Sequence, residues 1–256
     1  MYRAACCAAL TVAALVAGTA DARAPEHAGE DLRPATAVPA NAAQRIGRSV
    51  QGRPIGLLRL GSPAATRKVL VVGCIHGNEG AGRAVVERLA RIIPADAPAR
   101  FLLVRDMNPD GFAHDTRQNA RGVDLNRNGA VGHRDLGPPG SPFYSGPGPF
   151  SEPESRAVRA LILRERPQIV IWYHQPLARV DVPEAGWDGR ARRYARLVGL
   201  PLRPLPHYPG SLSRWTNVRV RAGSSFVVEL PGGQLSAAAV RRHAAAVLAL
   251  ARVTSP

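Results

Sequence analysis

Cysteine, lysine and aromatic residues are scarce in this chain of 256 residues. Of the three cysteines, Cys6 and Cys7 lie in an amino-terminal segment that we expect to be removed from the mature protein. Cys74 would then be the only thiol, which excludes an intrachain disulfide. Aromatic residues make up 5% of the chain, and no basic stretch is interleaved with aromatic side chains. The sequence therefore indicates no specific binding of nucleic acid.

Acidic residues are also few compared with basic ones. The chain has 34 lysines and arginines against 19 acids, a formal net charge of +15, and Lys68 is the single lysine. A surface of this charge attracts polyanions. For an exported protein the nearest polyanions are cell-wall polymers and anionic lipid headgroups. We therefore expect attraction to anionic wall polymers.

Long apolar runs are absent beyond the first 24 residues. Residues 1–24 contain Arg3, an apolar run over 4–17, and small residues that offer cleavage sites at Ala22 and Ala24. This pattern is typical of a secretory signal peptide, since the run is too short to span a bilayer comfortably. A retained membrane anchor is the alternative. The sequence predicts a secreted protein with no transmembrane segment in its mature chain.

The remaining chain predicts one folded domain behind a short leader. Residues 25–43 are rich in alanine and proline and indicate a flexible segment, and 44–256 form the domain. Apolar runs of strand length alternate with helical patterns, which predicts a single-domain three-layer α/β/α fold with a mainly parallel, mixed and twisted sheet. Residues 129–150 are predicted as a long loop that could form the rim of a cleft.

Two serines mark predicted helix starts. Ser151 with Glu154 forms a capping-box pattern for a helix that ends near Arg164. Ser236 is placed to open an alanine-rich terminal helix that runs to Ala251.

The tetrad His-Gly-Asn-Glu at 76–79 lies where a predicted strand, 68–75, meets a predicted helix, 80–93. Open α/β sheets place their ligands at such turns, beyond the carboxyl ends of parallel strands. An imidazole and a carboxylate three residues apart can bind one metal ion. A surface histidine followed by a glutamate at a helix start gives the same pattern, so other motifs must decide.

Further motifs follow the tetrad in a distinctive order. They are Asn-Pro-Asp-Gly at 108–111, Arg-Gln-Asn at 117–119, Gly-Val-Asp-Leu-Asn-Arg-Asn at 122–128, Trp-Tyr-His-Gln-Pro at 172–176 and Phe-Val-Val-Glu-Leu-Pro at 226–231. With the tetrad, this order resembles the M14 family of zinc metallocarboxypeptidases from about Ile55 to Leu250. The resemblance implies the fold of these enzymes for domain 44–256, which would be the catalytic domain.

The resemblance also implies one zinc ion, bound by His76, Glu79 and His174. Such a site keeps one position open for water. Glu229 would be the general base towards that water and then the proton donor to the leaving amine. The residues themselves leave alternatives: His174 could be a core histidine, and Glu229 could form a structural salt bridge. Cys74 shares a strand face with His76 and is a possible further ligand, although a small buried filler is the simpler interpretation.

The implied substrate contacts come from the later motifs. Arg117 resembles the family arginine that polarises the scissile carbonyl and stabilises its oxyanion, with Arg121 as a close alternative. Asn126 and Arg127 resemble the pair that binds the free carboxylate of the leaving residue. The resemblance implies three further residues near the substrate. Tyr208 would cover the substrate, and Ser213 and Arg214 would lie near the specificity pocket, where an arginine would favour a leaving group with a second carboxylate. A solvent-facing Arg214 is the alternative.

Three segments, 117–128, 150–154 and 208–215, resemble the murein peptide amidase branch of the family. These enzymes cleave the γ-D-glutamyl to meso-diaminopimelate bond of peptidoglycan stem peptides. The alternatives are a general metallocarboxypeptidase, an N-acyl amino acid deacylase of the succinylglutamate desuccinylase and aspartoacylase type, which shares the tetrad, and an inactive wall-binding protein. Gly129 departs from the family, which usually has an aromatic residue there, and we expect looser packing beneath the carboxylate anchor.

Overall fold

The structure, a computed structural model, describes residues 44–181, 189–220 and 224–252. Predictions for the signal peptide, 1–24, and for the leader, 25–43, lie outside these residues. The strands are β1 Gln44–Arg48, β2 Pro54–Leu60, β3 Lys68–Val72, β4 Arg100–Val104, β5 Ile169–His174, β6 Leu177–Val180 and β7 Ser224–Pro231. The α-helices are α1 Gly82–Ile92, α2 Pro109–His114, α3 Pro153–Glu165, α4 Arg190–Val198, α5 Leu212–Arg219 and α6 Ala237–Arg252.

All seven strands form one mixed sheet in the order β1-β2-β4-β3-β5-β7-β6. The four central strands, β4, β3, β5 and β7, are parallel, whereas β1, β2 and β6 pair antiparallel at the edges. Parallel strands are covered on both faces and therefore contain continuous apolar runs. All six residues of β5 are buried, as that rule requires.

Helices cover both faces of the sheet and form two apolar cores. One core contains side chains of α1, α4 and α6 with Val71 and Tyr173 of the central strands. The other contains side chains of α3 and α5 with Leu70 and Trp172. Neighbouring residues of a strand point to opposite faces, so each central strand contributes to both cores. The predicted three-layer α/β/α fold is confirmed. Among the described residues, no helix is both long enough and apolar enough to cross a bilayer.

The predicted start of the terminal helix is confirmed. Helix α6 begins at Ala237, and the Ser236 hydroxyl oxygen accepts a hydrogen bond from the Ala239 N–H at 3.2 Å. The predicted loop is also present, since residues 129–150 contain no helix or strand.

The predicted capping box of α3 is wrong. The helix begins at Pro153, its N-cap residue is Glu152, and no side chain caps it. The Glu154 carboxylate is fully buried and instead accepts hydrogen bonds from the Val50 N–H at 3.0 Å and the Asn119 side chain at 3.1 Å. Glu154 therefore binds residues that are distant in sequence and does not form the local helix cap that the pattern predicts.

Three parallel strands end at the same edge of the sheet and bring the main motifs together. His76 follows β3, and His174 is the last residue of β5, where it pairs in register with Glu229 of β7. The topology therefore places two imidazoles and two carboxylates, including Glu79, at one edge.

Candidate active site

The turn that contains His76 and Glu79 packs directly against the backbone of α2. A Cβ atom at Gly77 would lie 1.9 Å from the carbonyl carbon of Gly111, so no side chain fits there. Helix α2 is fixed in turn by its N-cap residue, Asn108, whose Oδ1 accepts from the Gly111 N–H at 2.9 Å. The Asn-Pro-Asp-Gly motif thus fixes the start of the helix against which the His-Gly-Asn-Glu turn packs.

Three side chains converge at this edge as a possible metal site. His76 Nδ1 lies 2.9 Å from Glu79 Oε1, His174 Nδ1 lies 2.9 Å from Glu79 Oε2, and the two Nδ1 atoms are 3.1 Å apart. Two ligand atoms on a tetrahedral zinc ion, each at 2.0 to 2.1 Å, are about 3.3 Å apart. All three residues are buried. The residues therefore fit a zinc ion in both donor type and spacing.

The electrostatics of this cluster favour a cation. Burial by itself would raise the pKa of Glu79, but the hydrogen bonds of His174 and His76 hold it well below the usual range. Burial would lower the pKa of His76, yet the neighbouring carboxylates of Asp124 and Glu79 raise it. Carboxylates that attract a proton to this position also attract a metal ion, which would replace that proton.

Asp124 is the main residue of this site to which we assigned no role from sequence. Its Oδ1 lies 2.9 Å from His76 Nε2, and it is completely buried. Burial alone would raise its pKa, but the charges of His76 and Arg117 hold it well below normal, so it is an ionised acceptor. An Nε2–H bond to Asp124 leaves the Nδ1 lone pair of His76 for a metal. The sequence did contain a signal for this role. Asp124 is a carboxylate in the largely apolar segment Gly-Val-Asp-Leu, where a charged side chain needs a partner if it is buried.

Cys74 takes no part in this cluster. Its Sγ donates to the His76 carbonyl oxygen at 3.1 Å, and the side chain is fully buried. Burial raises the pKa of the thiol far above its usual value, which disfavours the thiolate that a metal requires. The structure therefore favours the interpretation of Cys74 as a buried filler.

The structure separates the two arginines that the sequence left as alternatives. Arg117 lines the cleft, where its Nη1 lies 2.9 Å from Glu79 Oε1 and its Nη2 lies 2.9 Å from Asp124 Oδ2. Arg121 lies outside the cleft lining with a side chain 56% exposed, and its Nη1 is 3.6 Å from Glu152 Oε2. Of these two arginines, only Arg117 lies beside the possible metal site.

Arg127 is a buried cation in the wall of the cleft. Its side chain is 3% exposed, its Nη1 donates to the Asn126 carbonyl oxygen at 2.9 Å, and its Cζ lies 4.0 Å from the ring centre of Tyr208. No carboxylate of the described residues forms an ion pair with it. Burial lowers its pKa, although Asp124 opposes this effect. A buried guanidinium in such surroundings favours an anionic ligand.

Asn126 and Tyr208 complete this part of the wall. Asn126 Oδ1 accepts from the Leu212 N–H at 3.0 Å, and its Nδ2 lies 3.3 Å from His174 Nε2. The amide thus joins the metal cluster to the start of α5. Tyr208 also lines the cleft, and its side chain is exposed.

Gly129 does not loosen the packing beneath Arg127, so that expectation is wrong. A Cβ atom at Gly129 would lie 2.8 Å from the Gly210 carbonyl oxygen, which instead accepts a 2.8 Å hydrogen bond from the Gly129 N–H. Gly210 has a φ of +71°, and a Cβ there would lie 1.8 Å from the Arg127 carbonyl oxygen. The backbone at Gly210 therefore packs closely against both Gly129 and Arg127.

Glu229 faces the cleft from β7. It is 8% exposed, and its Oε2 lies 3.5 Å from the Leu177 backbone nitrogen. In the part of the chain that the structure describes, no arginine forms an ion pair with Glu229, so the structural salt bridge considered above is not formed there. A carboxylate that lines the cleft can accept and donate a proton there.

These residues share one cleft of about 240 Å³. It contains the three possible metal ligands together with Arg117, Asn126, Arg127, Tyr208, Ser213 and Glu229. Phe143, from the loop predicted to form the rim, lines the same cleft. Arg214 is half-buried on α5 and is not among the lining residues, so the structure does not place it in the cleft with Ser213.

Comparison with known sequences gives a consistent result. A sequence model of the zinc carboxypeptidase family matches residues 36–176. The chain is 32% identical over 191 residues to murein peptide amidase A of Escherichia coli strain K12, an alignment that covers 67% of this chain and 75% of that protein. It is 31% identical over 198 residues to murein peptide amidase A of Vibrio campbellii, covering 72% and 77% of the two chains.

Comparison with solved structures agrees in fold. The murein-tripeptide amidase of Escherichia coli O157 superposes with a TM-score of 0.68 at 28% identity, over 83% of this chain and 92% of that one. Carboxypeptidase A of Helicoverpa armigera shares the fold, with a TM-score of 0.67 at 20% identity over 82% and 68% of the two chains. Motif order, cleft geometry and both comparisons agree that this chain belongs to the zinc carboxypeptidase family.

Proposed function

We propose that this zinc peptidase or amidase cleaves an amide bond next to a free carboxylate, and that its substrate is the γ-D-glutamyl to diaminopimelate bond of peptidoglycan stem peptides. The single observation that supports cleavage next to a free carboxylate is the position of Arg127. This buried guanidinium has no carboxylate ion pair among the described residues and lines the same cleft as Glu229. A substrate carboxylate would supply the missing anion and place the adjacent amide bond near the catalytic groups.

The proposed metal is one zinc ion held by His76, Glu79 and His174. When bound, zinc polarises a carbonyl and makes water a stronger nucleophile near neutral pH. Asp124 supports this role because it fixes the orientation of the His76 ring at 2.9 Å.

The remaining steps belong to side chains of this chain. Arg127 and Asn126 bind the carboxylate of the leaving residue, and Arg117 donates hydrogen bonds to the scissile carbonyl oxygen as negative charge develops on it. Glu229 removes a proton from the attacking water as the new C–O bond forms. The same carboxyl group then gives that proton to the amine nitrogen as the C–N bond breaks.

The substrate proposal is supported by the relatives rather than by the cleft alone. Murein peptide amidases match this chain over about seven tenths of its length. The net charge of +15 would also draw the protein to anionic wall polymers. A side-by-side assay of stem tripeptide, a series of carboxy-terminal peptides, and N-acetyl or N-succinyl amino acids tests the proposal. Preferential cleavage of the stem tripeptide supports it, whereas preference for the N-acyl amino acids would favour a deacylase.

Metal binding gives a separate prediction. We expect one zinc ion per chain, and His174→Ala should weaken zinc binding by more than about a hundredfold. The reason is that losing a metal ligand costs more than losing a residue that only hydrogen-bonds to a ligand. Metal analysis after dialysis measures this. His114→Ala, at an exposed position on α2, is the control and should keep full zinc content. Full occupancy in the His174 variant would exclude the proposed ligand set.

Export of the protein is part of the proposal. Its support is the amino-terminal pattern of Arg3, an apolar run over 4–17 and small residues up to Ala24. Sequencing the amino terminus of protein recovered from the source cell tests it. A start just after Ala22 or Ala24 is expected, and an intact Met1 on cytoplasmic protein would contradict it.

A further inference from the structure

One side chain at the carboxyl edge of the sheet joins segments that carry the proposed catalytic groups. Gln175 follows β5, and its side chain is half-buried. Its Oε1 accepts from the Ala81 N–H at 3.0 Å. Its Nε2 donates to the carbonyl oxygens of Pro231 at 2.7 Å and Gly233 at 2.8 Å. Both N–H groups of this amide therefore have an acceptor, and its oxygen has a donor.

The first of these segments contains a proposed metal ligand. Ala81 is the N-cap residue of α1 and lies two residues after Glu79. An N–H at the start of a helix has no acceptor within the helix, and Gln175 Oε1 supplies one. The Gln175 N–H also donates to Glu79 Oε2 at 3.1 Å. Two hydrogen bonds of one residue thus hold the turn of Glu79 against the end of β5.

The second segment follows the proposed base. Pro231 is the last residue of β7 and lies two residues after Glu229. The parallel pairing of β5 with β7 ends at the pair of His174 and Glu229. Beyond this pair, the Gln175 amide connects the two strands through Pro231 and Gly233. The end of β7 that carries the base is therefore joined to the same side chain as the turn that carries a metal ligand.

We infer that Gln175 is a positioning residue that holds Glu229 at its working distance from the metal position. All three partners of its side chain are backbone groups, so it fixes the main chain on both sides of the metal position. The proposed carboxylate anchors, Asn126 and Arg127, are not among these partners. Loss of the amide should therefore slow the chemical step and leave substrate binding nearly unchanged. The inference rests on the proposed function, because it assumes that Glu229 is the base.

Gln175→Met tests the inference, because it keeps the length of the side chain and removes its hydrogen bonds. We expect kcat per zinc-loaded molecule to fall roughly tenfold to a hundredfold, since a misplacement of about 1 Å can cost about a hundredfold. KM should change less than about twofold. Thermal unfolding and zinc analysis of the same preparation report folding and metal content. Native kcat in the zinc-loaded variant would overturn the inference, and so would a raised KM with native kcat.

Gln168→Met is the matched control. Gln168 lies at the opposite end of β5, where its Oε1 accepts from the Lys68 N–H at 2.7 Å. It is not among the residues that line the cleft. This variant loses a hydrogen bond between strands, so its melting temperature can fall, but its kcat should remain native. An equal loss of kcat in both variants would indicate general loosening of the sheet and would overturn the inference.

A double variant separates positioning of the base from a structural role. In the Glu229→Gln background, Gln175→Met should lower the remaining kcat less than about twofold, because the base that it positions is already absent. A further loss as large as that in the native enzyme would contradict the inference. Should Gln175→Met fail to fold, Gln175→Glu replaces it with the same expectations, since it keeps an acceptor for the Ala81 N–H but cannot donate to Pro231 or Gly233.

The same set of variants distinguishes failure of the inference from failure of the proposed function. Near-native kcat in Glu229→Gln would overturn the proposed base, and the inference with it. An inactive Glu229→Gln together with native kcat in Gln175→Met would overturn the inference alone.

Discussion

Glu229→Gln is expected to abolish turnover and leave the metal content unchanged. Glu229 lines the cleft but is not among the three residues that converge on the metal position. The amide has nearly the same shape as the carboxylate but cannot accept a proton from water. Loss of a general base typically costs 10²- to 10⁴-fold, so we expect kcat to fall by about 10³-fold. Steady-state kinetics and zinc analysis of the same preparation measure both quantities.

A second glutamate provides the control for this experiment. Glu87 is partly exposed and ion-paired with Arg105 at 2.8 Å, away from the residues that line the cleft. Glu87→Gln should keep native kcat because it changes no group near the substrate. A Glu229 variant with native folding, native zinc content and near-native kcat would show that another group acts as the base.

Arg127→Ala should reduce activity on a free-acid substrate far more than on the same substrate blocked as an amide. The guanidinium is 3% exposed and faces a cleft in which it has no carboxylate ion pair with a described residue. Loss of one partner of a buried charge pair costs about 2 to 5 kcal/mol, roughly thirtyfold to several thousandfold in kcat/KM. The amide substrate never forms that pair, so its smaller loss reports any general damage to folding.

Arg121→Ala is the matched control for the anchor. Arg121 is close to Arg127 in sequence, but its side chain is 56% exposed and outside the cleft lining. Its loss should change kcat/KM little on either substrate, because Arg121 contacts no residue that lines the cleft in the part of the chain that the structure describes. If the native enzyme cleaved acid and amide equally well, carboxylate-anchored cleavage would be excluded, and an endo-acting hydrolase would be the better description.

Much of the architecture follows from local sequence. Continuous apolar runs predicted the buried strands β3, β5 and β7, because only strands covered on both faces require them. The order of the motifs singled out His76, Glu79 and His174, which the structure brings within 2.9 to 3.1 Å of one another. The strands and the convergence of these three side chains could be anticipated because strand ends and their turns are local features, and the parallel topology aligns the ends.

Other features were decided only when distant segments packed together. The pattern of Ser151 and Glu154 predicts a helix cap, but Glu154 is drawn to Val50 and Asn119, more than 30 residues away. Arg117 and Arg121 are indistinguishable by sequence spacing, yet the fold brings only Arg117 to Glu79 and Asp124.

Sequence by itself predicted the buried strands β3, β5 and β7, the helices α1, α3 and α6, and the motif residues that meet at the sheet edge. Tertiary structure alone decided that Asp124 supports His76 and that Gly210 packs against Gly129. The physical reason is that periodicity and turn chemistry act within a few residues of the chain. The partners of a buried charge are instead chosen from whatever the folded chain places within hydrogen-bond distance.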